Sequence, residues 1–421
     1  LPAASAATRP ATTKLNNWAV EAAVPYQSTA FASVACPAPG DCWAVGQTVG
    51  GTAVIAATTD GGTSWVNESV PGDNTGPLSG VACPTVSDCY AVGRSLSETP
   101  LVLATTDGGV SWSLETLPTL SGALNGVSCP TGTSDCFAAG VTFGSTAGGL
   151  VLATTNSGAT WSQQSIPVPA NALNTIDGIS CPTVSACVAA GYEDDFNTST
   201  VFGIVLGTSD AGATWTTETL PPAAATDVQS LNGASCFSPN DCIVVGSSPT
   251  DTGEALTTTD GGDSWTLVSV PANTGILNDV VCESAELCWA AGDTTRSLGT
   301  AIASADGGQT WTPQSMPADV AGVSGIACTT DLNCWAVGDT TSGSAALVGT
   351  VDGGTTWADQ TPPESSDPMA AISCPSIDDC VAVGGTDQFS SVGAGLMTTD
   401  GGETWNPLSL PAGTGDLMGI S

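Results

Sequence analysis

Short apolar runs alternate along the chain with breaks rich in Gly, Ser, Thr and Pro, and the alternation repeats. The second repeat shows the plan. Gly80–Cys83 reads as a short strand (A), Pro84–Asp88 as a turn and Cys89–Arg94, CYAVGR, as a second strand (B). Ser95–Pro100 is a loop, Leu101–Thr105, LVLAT, a third strand (C), and Ser111–Leu117, SWSLETL, an alternating fourth (D). A proline then ends the strand, because it cannot donate to the ladder. The apolar B and C strands are predicted to be buried on both faces, with strand D as the outer edge.

Between C and D stands an eight-residue stretch, [ST]-x-[DN]-x-G-x-[ST]-W, which occurs eight times. Its acidic or amide residue and its tryptophan are Asp60 and Trp65, Asp107 and Trp112, Asn156 and Trp161, Asp210 and Trp215, Asp260 and Trp265, Asp306 and Trp311, Asp352 and Trp357, and Asp400 and Trp405. The placement predicts a hairpin turn. The Asp or Asn accepts backbone N–H bonds, the Gly permits positive φ, and the Trp buries a large ring at the start of the next strand.

Four short strands recurring every 46 to 55 residues, each set too small to bury its own faces, predict an all-β chain. The expected fold is an eight-bladed β-propeller of four-stranded antiparallel blades. A bulky apolar residue follows the second cysteine of each repeat: Trp43, Tyr90, Phe137, Val188, Ile243, Trp289, Trp335 and Val381. Free interchange among these types points to packing between blades rather than to a ring of ligand-stacking aromatics.

The 16 cysteines form one close pair per repeat: Cys36/Cys42, Cys83/Cys89, Cys129/Cys136, Cys181/Cys187, Cys236/Cys242, Cys282/Cys288, Cys328/Cys334 and Cys374/Cys380. An even count with one pair per repeat predicts local disulfides and an oxidising compartment. Zinc would want CxxC spacing or histidine, and the sequence has neither.

Charge narrows the picture further. Lys and Arg total 4 (Arg9, Lys14, Arg94, Arg296) against 40 Asp and Glu, with no His, for a net charge of −36. So few cations exclude a nucleic-acid or anionic-lipid surface. Compositional drift in an exported protein and adaptation to acid both account for the shortage. No apolar run reaches the roughly 20 residues of a membrane span. Residues 1–17 are Ala/Thr/Pro-rich and read as a flexible segment, and the absence of an initiating Met is consistent with removal of a signal peptide.

The eight turns resemble those of the Asp-box (BNR) repeat β-propeller family, found in sialidases, xyloglucanases, sortilin-type receptors and a photosystem II assembly factor. The likeness covers residues 18–421, and the added Cys pair resembles secreted bacterial members. It implies the propeller fold and a structural role for the box, without catalysis. Sialidase chemistry, which the family performs with three arginines, is excluded: only Arg94 and Arg296 lie within the repeats. Zero histidines exclude Ser–His and Cys–His nucleophiles.

Two stretches stand outside the eight repeats (about 32–411). Trp18–Val24 has the pattern of a spare D strand, through Trp18 and Val20. Residues 415–421, GDLMGIS, match a spare A strand, through Leu417 and Ile420. The ring closing on eight blades with both strands left over, a piece of a longer array, and pairing with another copy each account for them. The longest B–C loop, Gly191–Gly203, gathers Tyr192, Glu193, Asp194, Asp195 and Phe196 as a candidate binding loop for Ca²⁺ or a paired-carboxylate site. No other cofactor is expected. The expected function is a non-catalytic secreted or cell-surface structural subunit that self-associates, as in a filament, through the terminal strands. The alternatives are a carbohydrate- or protein-binding receptor domain and a carboxylate-dependent glycoside hydrolase.

Overall fold

The computed structural model describes residues 29–408, apart from 49, 63, 134, 145–146, 168–171, 196–197, 297, 364–365 and 386–392. Eight four-stranded antiparallel sheets follow one another, each with its strands in chain order A-B-C-D. Blade 1 runs through Thr29–Ala38, Asp41–Thr48, Ala53–Thr58 and Val66–Asn67. Blade 8 runs through Met369–Ser373, Cys380–Gly385, Gly393–Thr398 and Asn406–Pro407. Each A strand packs against the A strand of the next blade, and Thr29–Ala38 meets Met369–Ser373, so the ring closes. The eight-bladed propeller expected from the repeat is the architecture observed.

The core lies between blades. In blade 2 the B strand Cys89–Ser95 and the C strand Pro100–Thr105 are buried at every position but Arg94. Each sheet therefore has two apolar faces, and each face needs a neighbour. The seam that closes the ring joins Phe31, Ala44 and Trp65 of blade 1 to Val381, Val383 and Met397 of blade 8. The residue after the second cysteine is buried in every blade, from Tyr90 at 0% exposure to Val188 at 6%. Tyr90 meets the turn tryptophan of the next blade, Trp161, edge-on at 5.9 Å, and Phe137 meets Trp215 at 6.3 Å.

The innermost strands are stitched together by side chains. Ser128, Ser180 and Ser235 accept the N–H of Cys181, Cys236 and Cys282 in the following blade, at 3.0–3.1 Å. Asp279 does the same for Ile326 at 3.1 Å. The amides of Asn125, Asn232 and Asn278 donate to the carbonyls of Ile176, Leu277 and Val323 at 2.9–3.0 Å.

All eight predicted disulfides are formed, with Cα separations of 4.1–4.3 Å. The structure adds their depth: each pair closes a turn, and the second cysteine of every pair is a core residue. Cys42, Cys89, Cys136, Cys187, Cys242, Cys288, Cys334 and Cys380 are each at most 3% exposed. The cause is strand B, which starts at this cysteine or one residue before it and is buried over the five residues that begin with the cysteine. Cys42 joins the seam of blades 8 and 1, Cys136 that of blades 2 and 3, and Cys242 that of blades 4 and 5. Cys288 and Cys334 do the same in the seams of blades 5 and 6 and of blades 6 and 7. Oxidised sulfur packs there as a small apolar group. Of the first cysteines, Cys181 and Cys328 are buried, whereas Cys36, Cys83, Cys129, Cys236, Cys282 and Cys374 are partly exposed.

Strand lengths also differ from those read in the sequence. In blade 2 strand A is Thr75–Ala82, longer than Gly80–Cys83, and strand D is only Ser113–Leu114. The alternation read over 111–117 does not carry into burial, since Trp112 is buried but Leu114 is exposed, and ladder pairing covers Ser113 and Leu114 alone. The segment 1–17, the stretches 18–24 and 415–421 with Trp18, Val20, Leu417 and Ile420, and Phe196 lie outside the described residues.

Candidate functional sites on the propeller

Each C–D turn is a closed hydrogen-bonded unit. In blade 1 Thr58 Oγ1 donates to Asp60 Oδ1 at 2.8 Å, and the Gly62 N–H donates to Thr58 Oγ1 at 2.9 Å. The Ser64 N–H donates to Asp60 Oδ1 at 2.9 Å and the Ser64 hydroxyl to Oδ2 at 2.7 Å. In blade 3 Asn156 fills the same place and donates through Nδ2 to Thr160 Oγ1 at 2.9 Å. The N–H of Gly61 donates to the Gly40 carbonyl at 3.1 Å, which ties this turn to the disulfide-closed A–B turn. The same bond recurs from Gly108 to Ser87 and from Gly261 to Asn240. The A–B and C–D turns thus share one regular face.

Those bonds determine the chemistry of the carboxylates. The hydroxyl and then the N–H of Ser111, Thr214 and Ser264 hold Asp107, Asp210 and Asp260 below the ordinary carboxylate range. For Asp60 and Asp352 the N–H of Ser64 and Thr356 leads, followed by the hydroxyl. A carboxylate so saturated with donors is a poor general acid. The turns act as fasteners of the fold.

The turn glycine has a second use that the motif does not disclose. Gly109 sits at φ +84°, and a Cβ there would collide with the Glu68 carboxylate reaching over from blade 1. Gly262 stands in the same relation to Glu218, and Gly354 to Gln314. The Trp112 indole N–H donates to Glu68. Burial pushes Glu68 up to about 7 despite that bond, and pushes Glu218 up to about 7 as well. The sequence carries a signal for these residues. Three positions after each turn Trp it reads Glu68, Glu115, Gln164, Glu218, Val268, Gln314, Gln360 and Leu408.

The blade 4 candidate loop is not a loop. Strand B, Cys187–Asp195, pairs through Asp195 with both Ala172–Ser180 and Thr200–Thr208. Tyr192, Val201 and Phe202 carry enough β-propensity to extend the hairpin past its neighbours. Strand alternation then divides the cluster. Glu193 and Asp195 share the side that packs on blade 3, whereas Tyr192 and Asp194 leave the sheet on the side toward blade 5. Glu193 is buried, at 7% exposure.

Elsewhere on the B–C face, Asp293 of blade 6 and Asp339 of blade 7 converge. Both Oδ1 atoms lie within 3.1 Å of the point where a Gly322 side chain would begin. Burial first, and then Asp339, raises Asp293 to about 6. Arg94 and Arg296 are both exposed, in blades 2 and 6. Among the described residues no three His, Cys, Asp or Glu cluster as a metal site, and no helix is long and apolar enough to cross a membrane.

These features define an eight-bladed propeller with one disulfide per blade, and the disulfides indicate an oxidising environment. Two solved YCF48 structures share the fold. YCF48 bound to a D1 peptide superposes with a TM-score of 0.50 at 18% identity, covering 74% of this chain and 90% of that one. YCF48 from Cyanidioschyzon merolae gives 0.51 at 16% identity, over 79% and 97%. A GH74 enzyme from Niastella koreensis gives 0.47 at 14% identity, over 92% and 67%. No family model matches the chain, and no curated protein does.

Proposed function

We infer that the protein is a non-catalytic, secreted or cell-surface assembly subunit: a rigid disulfide-fastened ring that joins further copies of itself through 18–24 and 415–421. One observation carries the reading. All four strands of every blade come from residues 29–407, so neither stretch is needed to complete a blade, yet both have blade-strand patterns. A strand pattern beyond the four strands of each described blade suits pairing with another chain. The YCF48 structure with a bound D1 peptide supports partner binding by this architecture. Deleting 415–421 should leave the ring folded and abolish higher-mass species in light scattering. Equal mass for the full and shortened chains would sink the proposal.

A second reading rests on Asp293 and Asp339, because two converging carboxylates are what a glycoside hydrolase requires. It predicts turnover of some polysaccharide that Asp293→Asn and Asp339→Asn each abolish. A broad glycan panel without turnover removes its support. Glycan-array binding without turnover would favour a receptor domain instead.

A further inference from the structure

The seam between blades 3 and 4 gathers side-chain oxygens where neither blade has a cation. Asn174 and Glu193 stand directly opposite each other in the A–B register of blade 4. Residues so paired leave the sheet on the same side with their Cβ atoms about 5 Å apart. Asp195, two residues beyond Glu193, joins them on that side. The side faces blade 3: Ile176 and Ile204 on it pack against Phe137 and Val151. Blade 3 offers glycine backbone at this point, since a Cβ on Gly149 would lie 3.5 Å from that of Asn174.

Two features make the group more than a solvated acidic patch. Asn174 is 1% exposed, and its Oδ1 accepts no hydrogen bond. An acceptor left bare at that depth is destabilising unless something fills the place. Glu193, at 7% exposure, is buried two residues from Asp195 on the same side of the strand. The cations of the chain are Arg9, Lys14, Arg94 and Arg296, and none falls in blades 3 or 4. A counter-charge from solvent would answer both the bare acceptor and the crowded carboxylates.

We propose that this seam holds a divalent cation, Ca²⁺ in preference to Mg²⁺, between the Asn174 amide oxygen and the carboxylates of Glu193 and Asp195. The donors are all oxygen, as a hard cation requires. Ca²⁺ tolerates irregular geometry completed by backbone oxygens and water, whereas Mg²⁺ demands a near-ideal octahedron. Bound ion would hold strands A and B of blade 4 together, on the side that packs against blade 3, where its extended hairpin rises above its neighbours. The proposal is independent of the assembly reading.

The test is calorimetric titration of Ca²⁺ into chelator-stripped full-length protein, with thermal melts alongside. One saturable event that raises the melting temperature is expected, with Mg²⁺ a weak competitor. Glu193→Gln should weaken binding by roughly tenfold or more, and Asn174→Asp should tighten it by a similar factor, because affinity in such sites follows ligand charge. Asp194→Asn, on the opposite side of the sheet, should change nothing. The proposal is overturned if no saturable event occurs up to millimolar Ca²⁺, which would leave a proton or a water as the occupant. It is equally overturned if Glu193→Gln and Asp194→Asn lose binding alike, or if Asn174→Asp leaves the affinity unchanged. Should Glu193→Gln fail to fold, the Asn174→Asp result decides alone.

Discussion

Asp107 and Glu68 meet over one turn, the first on the regular face of blade 2 and the second reaching across the seam from blade 1. Their chemistry is opposite. Asp107 is open to water and receives the hydroxyl and N–H of Ser111, so its carboxyl stays ionised below the usual range. Glu68 lies under protein and is pushed up to about 7, chiefly by burial and partly by the charge on Asp107. The regular face is thus a region of fixed charges satisfied by local donors. The seams are a region where charge is costly. Other repeats resolve the seam differently: Gln164, Gln314 and Gln360 keep the shape and drop the charge, and Val268 and Leu408 drop polarity altogether. What the seam requires is volume over the next blade's turn glycine, with charge optional.

Reduction should produce the largest break in this contrast, because the disulfides belong to both regions. All eight close A–B turns on the regular face, each spanning six or seven residues of separation, while their second sulfurs pack in the seams. In the chain-entropy model each loop is worth roughly 2 kcal/mol. Full reduction should therefore lower the urea midpoint steeply or unfold the ring, as followed by tryptophan fluorescence. Retention of the midpoint would mean that apolar packing in the seams alone holds the fold.

Gly109→Ala comes next. The new methyl meets both a φ of +84° and the Glu68 carboxylate, and should cost about 3 kcal/mol in urea denaturation. Adding Glu68→Ala should recover the collision part and leave the backbone part. Gly132→Ala, at φ +72° with open space around it, reports the backbone part on its own. If Gly109 and Gly132 cost the same, the seam contact contributes nothing.

Much of this is legible in the sequence, and the failures have physical causes. The repeat of apolar runs, the Cys pairs and the turn motif specify blade number and strand order, because each is a local rule applied eight times. Strand D reads too long because Trp112 and Leu114 alternate with Ser113 and Glu115 as strand residues do, whereas paired residues end at Leu114 and one further backbone bond, from the Glu115 N–H to the Val102 carbonyl, closes the ladder. Tyr192–Asp195 misleads in the reverse direction: three consecutive acids look like a loop, yet pairing with Val201 and Phe202 carries them in a strand. The spacing of Cys83 and Cys89 reveals the bond but not that Cys89 lies in the core, since depth depends on the neighbouring blade. The seam position occupied by Glu68 is likewise a contact between successive repeats. It shows only when the repeats are aligned and the variable column is read as a contact.

Asp210→Ala should have a smaller effect than Gly109→Ala. It removes the acceptor for both the N–H and the hydroxyl of Thr214 at 2.7–2.8 Å, but water can replace an exposed bond. The sign of its pH dependence is the informative part. A carboxyl held low in the folded state contributes stability above its unfolded value, and that contribution fades as pH falls through the lowered one. The difference between wild type and Asp210→Ala should therefore shrink in acid, below the ordinary Asp value of 3.8. A difference that is flat from about pH 6 to about pH 2 would show that the hydrogen bonds to Asp210 do not favour its charged form.

Glu68→Gln and Glu218→Gln should give the smallest shifts, in the opposite direction. Their folded values near 7 lie above the ordinary 4.5, so the folded protein holds these protons more tightly than the unfolded chain. Stability is fully present below pH 4.5 and declines as pH rises through 7, where the buried carboxylates ionise. Each Gln variant should match wild type near about pH 4 and exceed it by about 1 kcal/mol at about pH 8, a figure already reduced for solvent screening of a half-buried group. The glutamines at positions 164, 314 and 360 show that the seam accepts the neutral side chain. Combined, the two substitutions should flatten the neutral limb of the stability profile and leave the acid limb, which belongs to the turn aspartates, in place. That separation would assign the two limbs to the two regions. If both limbs moved together, the turn and seam carboxylates would titrate as one coupled network, and the contrast between Asp107 and Glu68 would be one of degree.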